Sequence, residues 1–408
     1  MSDFHIDEEA IQALLGDAAA VAERGARAAL GRARDGASLE AIDVAALWLD
    51  HRIDTESLHE AALAVRGARS THLETFVPLY LTNTCDAACL MCGMRRDNAT
   101  LVRDTADAER VEEQLRLLKA RGIRAVALLT GEYRAPRRPW AMAYVNGAVR
   151  AAERLGFAHV LINVGSIDDD EFPALLDGLA RRADGAIALK LTMCTFQETY
   201  SRRVYAKFMG EDADNPRSDY ERRLANFDRA RRAGMHIANP GVLVGLSADI
   251  AFEMMAAILH VRHLLATGMD VYLSTPRLRR VAGGAGIIDR GAGAGGGAAG
   301  IPGGAASGAC RGIDDEDFVR LLALFSLALP GAKLVITTRE PRAIQQRVAP
   351  IVSVLSAGSS AVAPYTRDGA RFPLEASQFE VIDQRPFEAI LREHLDAGIA
   401  VENFAPPT

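Results

Sequence analysis

Short apolar, β-branched runs alternate with amphipathic stretches along this chain from about residue 76 onward. FVPLYLT (76–82), RAVALLT (124–130), HVLINV (159–164) and IALKLTM (187–193) read as strands. HIANPGVLVG (236–245), DVYLST (270–275), KLVITT (333–338) and IVSVLS (351–356) extend the series to eight. Between them lie helical patterns such as DAERVEEQLRLLKARG, SDYERRLANFDRARRAG and DEDFVRLLALFSLALPG, closing on glycine, a common helix stop. Parallel strands need crossover helices, so this alternation predicts an α/β fold, a (β/α)8 TIM-type barrel.

Residues 1–75 hold helical patterns, GDAAAVAERGARAALGRARDG and LEAIDVAALWLDHR among them, and no strand run. They read as an N-terminal helical extension packed outside the barrel and covering one of its ends, which leaves 76–408 for the barrel. Residues 282–312 are dominated by glycine and alanine and offer little to offset the entropy of ordering them. A flexible insertion after strand six is expected there, with Cys310 as an exposed thiol without a role.

Composition narrows the partners. The chain has 408 residues, 49% hydrophobic and 25% charged, the profile of a globular enzyme. A net charge of −6 and a pI near 5.9 argue against a nucleic-acid surface. The most apolar stretch, MMAAILHVRHLLATGM, is broken by His260, Arg262 and His263, so no bilayer span is expected. The acidic start MSDFHIDEEA is unlike a signal peptide, and a cytoplasmic, reducing location follows.

Three of the five cysteines fall within TNTCDAACLMCG, as Cys85, Cys89 and Cys92. Reduced cysteines this close read as a metal or redox site. Structural zinc wants four closed ligands, and no nearby His or Cys completes the set. A [4Fe–4S] cluster on three thiolates fits better and leaves one iron open. Zinc and unligated thiols remain the alternatives.

In such a barrel the active site forms at the C-terminal ends of the strands. The residues following the predicted strands are polar: Thr130-Gly131-Glu132-Tyr133, Gly165-Ser166, Cys194 to Glu198, Ser274 to Arg279, Thr338-Arg339-Glu340 and Ser356. Arg339 and Ser356 end adjacent strands and should be neighbours. A guanidinium fork suits a carboxylate, although an ion pair with Glu340 or a helix cap competes for Arg339. A turn role competes for Ser356, Arg222 reads as a solvated face, and Cys194 as a small buried residue.

The CX3CX2C loop after the first strand resembles the radical S-adenosylmethionine superfamily. FQETYSRRVYAKFMG, NPRSDYERRLANFDRARRAG and NPGVLVGL resemble its aromatic amino acid lyases, from about Phe76 to Phe404. Within these, Met91 in CLMCGMR, with FVPLYLTNTC, LTGEY, MCTFQETY, PGVLVGL and ITTREP, is most similar to the tryptophan lyases of thiopeptide biosynthesis. The lack of a cysteine after Cys310 sets the chain apart from the hydrogenase-cofactor tyrosine lyases, whose second cluster sits on C-terminal cysteines.

The resemblance implies S-adenosylmethionine on the open iron and conversion of L-tryptophan to 3-methyl-2-indolic acid. It implies hydrogen abstraction from the substrate amino group, Cα–carboxylate cleavage and migration of the carboxyl fragment to indole C2. Arg339 and Ser356 would hold the substrate carboxylate, and Tyr80 would line its pocket. Thr130, Gly131 and Glu132 match the segment that binds the methionine amine, Glu198 the ribose ligand and Arg223 the methionine carboxylate. Ser166 would line the nucleoside pocket, and an electron donor such as flavodoxin or ferredoxin is implied. A tyrosine lyase giving dehydroglycine and p-cresol is the nearest alternative; a non-catalytic metal-binding barrel is the alternative from another class.

Overall fold

The computed structural model describes residues 4–281, 312–365 and 373–406, apart from the side chain of Glu23. The expected flexible insertion and Cys310 lie outside the described residues, save Gly312.

Nine strands occupy the described chain: β1 His72–Tyr80, β2 Ala125–Leu129, β3 His159–Asn163, β4 Lys190–Glu198, β5 Ile237–Val242, β6 Asp270–Ser274, β7 Lys333–Thr337, β8 Val354–Ser356 and β9 Ala400–Glu402. β1 to β8 pair in chain order, and β8 pairs back to β1, which closes an eight-stranded parallel barrel. This is the (β/α)8 architecture that the alternation of apolar runs implied.

Three differences from the sequence pattern stand out. β4 continues to Glu198, so Cys194 to Glu198 belong to the strand and not to the loop after it. Glu198 takes a positive φ of 71° where the pairing with β5 shifts register between Phe196 and Glu198. That bulge re-aims the end of the strand. SDYERRLANFDRARRAG forms two abutting helices, Tyr220–Leu224 and Asn226–Arg232. β9 was not anticipated; it is three residues long and lies against the first residues of β1.

The helices α1 Glu8–Arg34, α2 Ala41–Leu49 and α3 Thr55–Arg66 form the N-terminal region. They pack on Ile250–Ala266 and Asp315–Ala328, helices of the outer ring. Arg66 also donates to Pro350 O at 2.9 Å, in the loop before β8. Buried Arg320 fastens the N-terminal region, donating to the carbonyls of Ile53 at 2.6 Å, Asp50 at 3.0 Å and Leu47. Asp107, Asp249 and Asp314 each accept a main-chain N–H at the start of their helices, which sets where the crossovers begin.

A polar plug closes the N-terminal end of the barrel. Glu74 accepts from Tyr272 Oη at 2.9 Å and pairs with Lys333, and with Lys190 at 3.5 Å. His159 meets Thr192 Oγ1 at 2.7 Å beside them. The opposite end stays open and holds the site. Among the described residues no helix is long and apolar enough to cross a membrane.

Candidate active site

The chain leaving β1 turns sharply and carries the cysteines. Asn83 clamps both limbs of this loop: Nδ2 donates to Val102 O at 2.8 Å, and Oδ1 accepts from Asp104 N at 2.8 Å. Leu90 N donates to Phe208 O at 2.9 Å and Gly93 N to Gln378 O at 2.8 Å, tying the loop to distant segments. Gly131 presses on it from β2. A Cβ there would lie 2.1 Å from Thr84 O and 2.6 Å from the Cys85 Cβ, so only glycine permits the approach.

Cys85, Cys89 and Cys92 line one cavity with Tyr80, Met91, Thr130, Gly131, Glu132, Glu198, Arg223, Arg339 and Ser356. Burial pushes the Cys85 thiol up to about 11 and that of Cys89 to about 12, and raises that of Cys92. Cys92 adds to the upward shift of Cys85, and both add to that of Cys89.

Polar hydrogens already point at the sulfurs. Cys85 Sγ accepts from Glu132 N at 3.3 Å and Ala87 N at 3.4 Å, and Cys92 Sγ from Gln378 Nε2 at 3.5 Å. Three sulfur ligands, no fourth, and donors aimed at thiolate charge fit a [4Fe–4S] cluster with one open iron. Among the described residues no three His, Cys, Asp or Glu side chains are set to hold a single metal ion. A cuboidal cluster takes one thiolate per iron and spaces its cysteines more widely, so this observation is neutral to it.

The residues expected to meet the cosubstrate are tied to one another. Glu132 Oε2 accepts from Arg223 Nη1 at 2.9 Å, and Oε1 accepts from the Ser166 amide at 3.0 Å. Arg223 Nε donates to Phe196 O at 2.6 Å. Gly165, at a φ of +85°, lies against this carboxylate; a Cβ there would sit 2.5 Å from Glu132 Cδ. Ser166 does not line the cavity, so its contribution is the amide that orients Glu132.

Glu198 is paired with Arg217, a cavity residue that the sequence reading did not single out. Nothing in NPRSDY distinguishes that arginine before folding brings it to β4. Arg222 is half-buried and forks onto Asp168 at 2.8 and 2.9 Å, so it is not the solvated face expected. Cys194 is buried as expected, its thiol donating to Asn239 Oδ1 at 3.1 Å.

Arg339 follows β7 and Ser356 ends β8, where Thr337 pairs with Ser356. The competing partner of Arg339 is taken: Glu340 receives Arg277 and Arg279 instead. Among the described residues no carboxylate pairs with Arg339, whose guanidinium lies 3.2 Å from the centroid of the Phe379 ring. Burial pushes it down to about 10, which leaves it cationic at neutral pH. Gln378 and Phe379 come from a C-terminal segment that sequence reasoning did not connect with the site.

The barrel opens its C-terminal rim onto three cysteines and a polar wall that includes Thr130, Glu132, Glu198 and Arg223, a setting that suits its cofactors, a [4Fe–4S] cluster and S-adenosylmethionine. The chain is 27% identical over 345 residues to 2-iminoacetate synthase of Escherichia coli K12, covering 80% of this chain and 78% of that protein. It is 25% identical over 280 residues to 2-iminoacetate synthase of Salmonella typhimurium LT2, covering 68% of this chain and 63% of the other. The fold is similar to the [FeFe]-hydrogenase maturase HydG from Carboxydothermus hydrogenoformans, with a TM-score of 0.75 and 21% identity over 97% of this chain and 85% of that one. It is also similar to methylornithine synthase (PylB), with a TM-score of 0.62 and 18% identity over 91% of this chain and 97% of that one. No family model matches the sequence.

Proposed function

We propose that this chain is a radical lyase of an aromatic L-amino acid whose carboxylate binds Arg339. The observation that carries the reading is that Arg339 is cationic, lines the cysteine cavity and has no carboxylate partner among the described residues. A half-buried cation without a counter-ion carries a desolvation cost, and a bound carboxylate offsets it through two charge-assisted bonds. Ser356 lines the same wall from the adjoining strand and adds a hydroxyl donor.

Cys85, Cys89 and Cys92 would hold the cluster, with the rim of β2 and β4 alongside for S-adenosylmethionine. When bound, this pair supplies a 5′-deoxyadenosyl radical that takes a hydrogen atom from the substrate. Thr130 and Gly131 offer main-chain groups to the methionine end, and Glu198 offers its carboxylate to ribose hydroxyls. Arg223, held by Glu132, faces the methionine carboxylate. Arg339 and Ser356 orient the amino acid so that one bond to Cα is presented for cleavage, and the apolar wall keeps water from the radical.

Similarity to two 2-iminoacetate synthases supports cleavage of the Cα–Cβ bond, which splits tyrosine into 2-iminoacetate (dehydroglycine) and p-cresol. Conversion of tryptophan to 3-methyl-2-indolic acid is the second reading, favoured by Met91, Tyr80, Arg339 and Ser356 all lining the cavity. Anaerobic turnover with S-adenosylmethionine, reductant and either amino acid, followed by mass spectrometry, decides between them. p-Cresol supports the first reading and the indolic acid the second. No 5′-deoxyadenosine above background with any aromatic amino acid overturns both.

A further inference from the structure

Gln378 has a position that neither reading of the reaction uses. It lies 286 residues from Cys92 in sequence, yet its side chain spans the gap between the substrate pocket and the cysteine loop. Its Nε2 donates to Cys92 Sγ at 3.5 Å, and its Oε1 accepts from Tyr80 Oη at 2.8 Å. The sulfur sets this orientation of the amide, since a thiolate only accepts, which leaves Oε1 to take the phenol's hydrogen.

The backbone holds the side chain there. Gly93 N donates to Gln378 O at 2.8 Å, and a Cβ on Gly93 would lie 2.8 Å from that same oxygen and from Ser377 O. The segment therefore sits as close to the cysteine loop as glycine allows. Cys85 receives only main-chain donors, whereas Cys92 receives a side-chain amide. The phenol at the far end of that amide belongs to the pocket wall.

We infer that Gln378 tunes the reduction potential of the cluster held by Cys92, and that Tyr80 sets the strength of this hydrogen bond. This rests on the cluster assignment above. An N–H donor on a ligating sulfur disperses negative charge, so it favours the reduced cluster, the more negative of the two states. The Tyr80 hydroxyl polarises the amide from its carbonyl side and makes the N–H a stronger donor. Gln378 is thus a positioning and tuning residue that acts through Cys92.

The test is an anaerobic redox titration of the reconstituted full chain, followed by electron paramagnetic resonance. Wild type, Gln378→Met, Gln378→Glu and Tyr80→Phe are compared at matched iron and sulfide content. The expected midpoint shifts are all negative: small for Tyr80→Phe, larger for Gln378→Met, which loses the donor, and largest for Gln378→Glu, which adds an anion. A residue that only fastens the segment would change loading or thermal stability and leave the potentials alone. Fully loaded variants with the wild-type potential overturn this inference alone. A wild-type protein that takes up no iron and sulfide overturns the cluster assignment together with it. Should Gln378→Met fail to fold, Tyr80→Phe carries the comparison, and an unmoved potential in it counts against the role of Tyr80.

Discussion

The Arg339 guanidinium stacks on the ring of Phe379, 3.2 Å from its centroid, while Glu340 next to it in sequence is turned away to Arg277 and Arg279. A cation–π contact holds the plane of the guanidinium without neutralising it. Arg339 is thereby fixed in direction and left available to an anion.

Removing that cation should weaken carboxylate capture. Arg339→Met is expected to lower kcat/KM for the amino acid by about 3 kcal/mol, on the order of a hundredfold, from two lost charge-assisted bonds. Arg339→Lys keeps the charge and loses the fork, so the rate falls less and the product ratio changes. Steady-state kinetics with product analysis checks both, and unchanged values in Arg339→Lys would count against the assignment.

Glu132 and Arg223 should behave as one unit. Each is buried and pairs with the other at 2.9 Å, so removing either leaves a buried charge without its nearest partner. Glu132→Gln and Arg223→Gln are each expected to destabilise the fold by about 3 kcal/mol, with the double variant costing less than their sum. Denaturant unfolding of the four proteins gives the coupling directly. S-adenosylmethionine binding should weaken in both single variants.

Gly131→Ala inserts a methyl group where Thr84 O would be 2.1 Å away. The cysteine loop must move back, so loading of iron and sulfide should drop sharply. The cost to stability is expected to be about 1–3 kcal/mol, as for other overpacked sites. Iron analysis and thermal unfolding are the measurements, and full loading would show that the loop yields freely.

Acid should attack the plug at the closed end of the barrel. Burial alone would raise the Glu74 carboxyl, but Lys333, Lys190 and Tyr272 together hold it below the ordinary range. A depressed folded value contributes stability that is fully present above the unfolded value near 4.5, and is lost as pH falls through the folded one. Lys333→Met should therefore move the midpoint of acid unfolding to higher pH, as followed by circular dichroism. Equal midpoints would remove Glu74 from the explanation.

The apolar runs were enough to reveal eight strands and their parallel order, because a strand buried in a barrel is short, β-branched and bounded by helices of another period. The cysteine spacing was likewise legible, since all three ligands lie in one loop where sequence distance limits spatial distance. The short β9 escaped because three residues carry no period, and its partner β1 lies more than three hundred residues away.

What the chain alone determined, then, was the barrel, the cluster loop and the rim on which Arg339 and Ser356 stand. Which charges on that rim are spent and which are free was decided only by the fold. Ion pairs such as Glu198 with Arg217 and Glu132 with Arg223 join residues 19 and 91 positions apart, and Tyr80 meets Gln378 across 298. Pairing over such separations depends on where a whole barrel sets its loops, and no local pattern of residues records it.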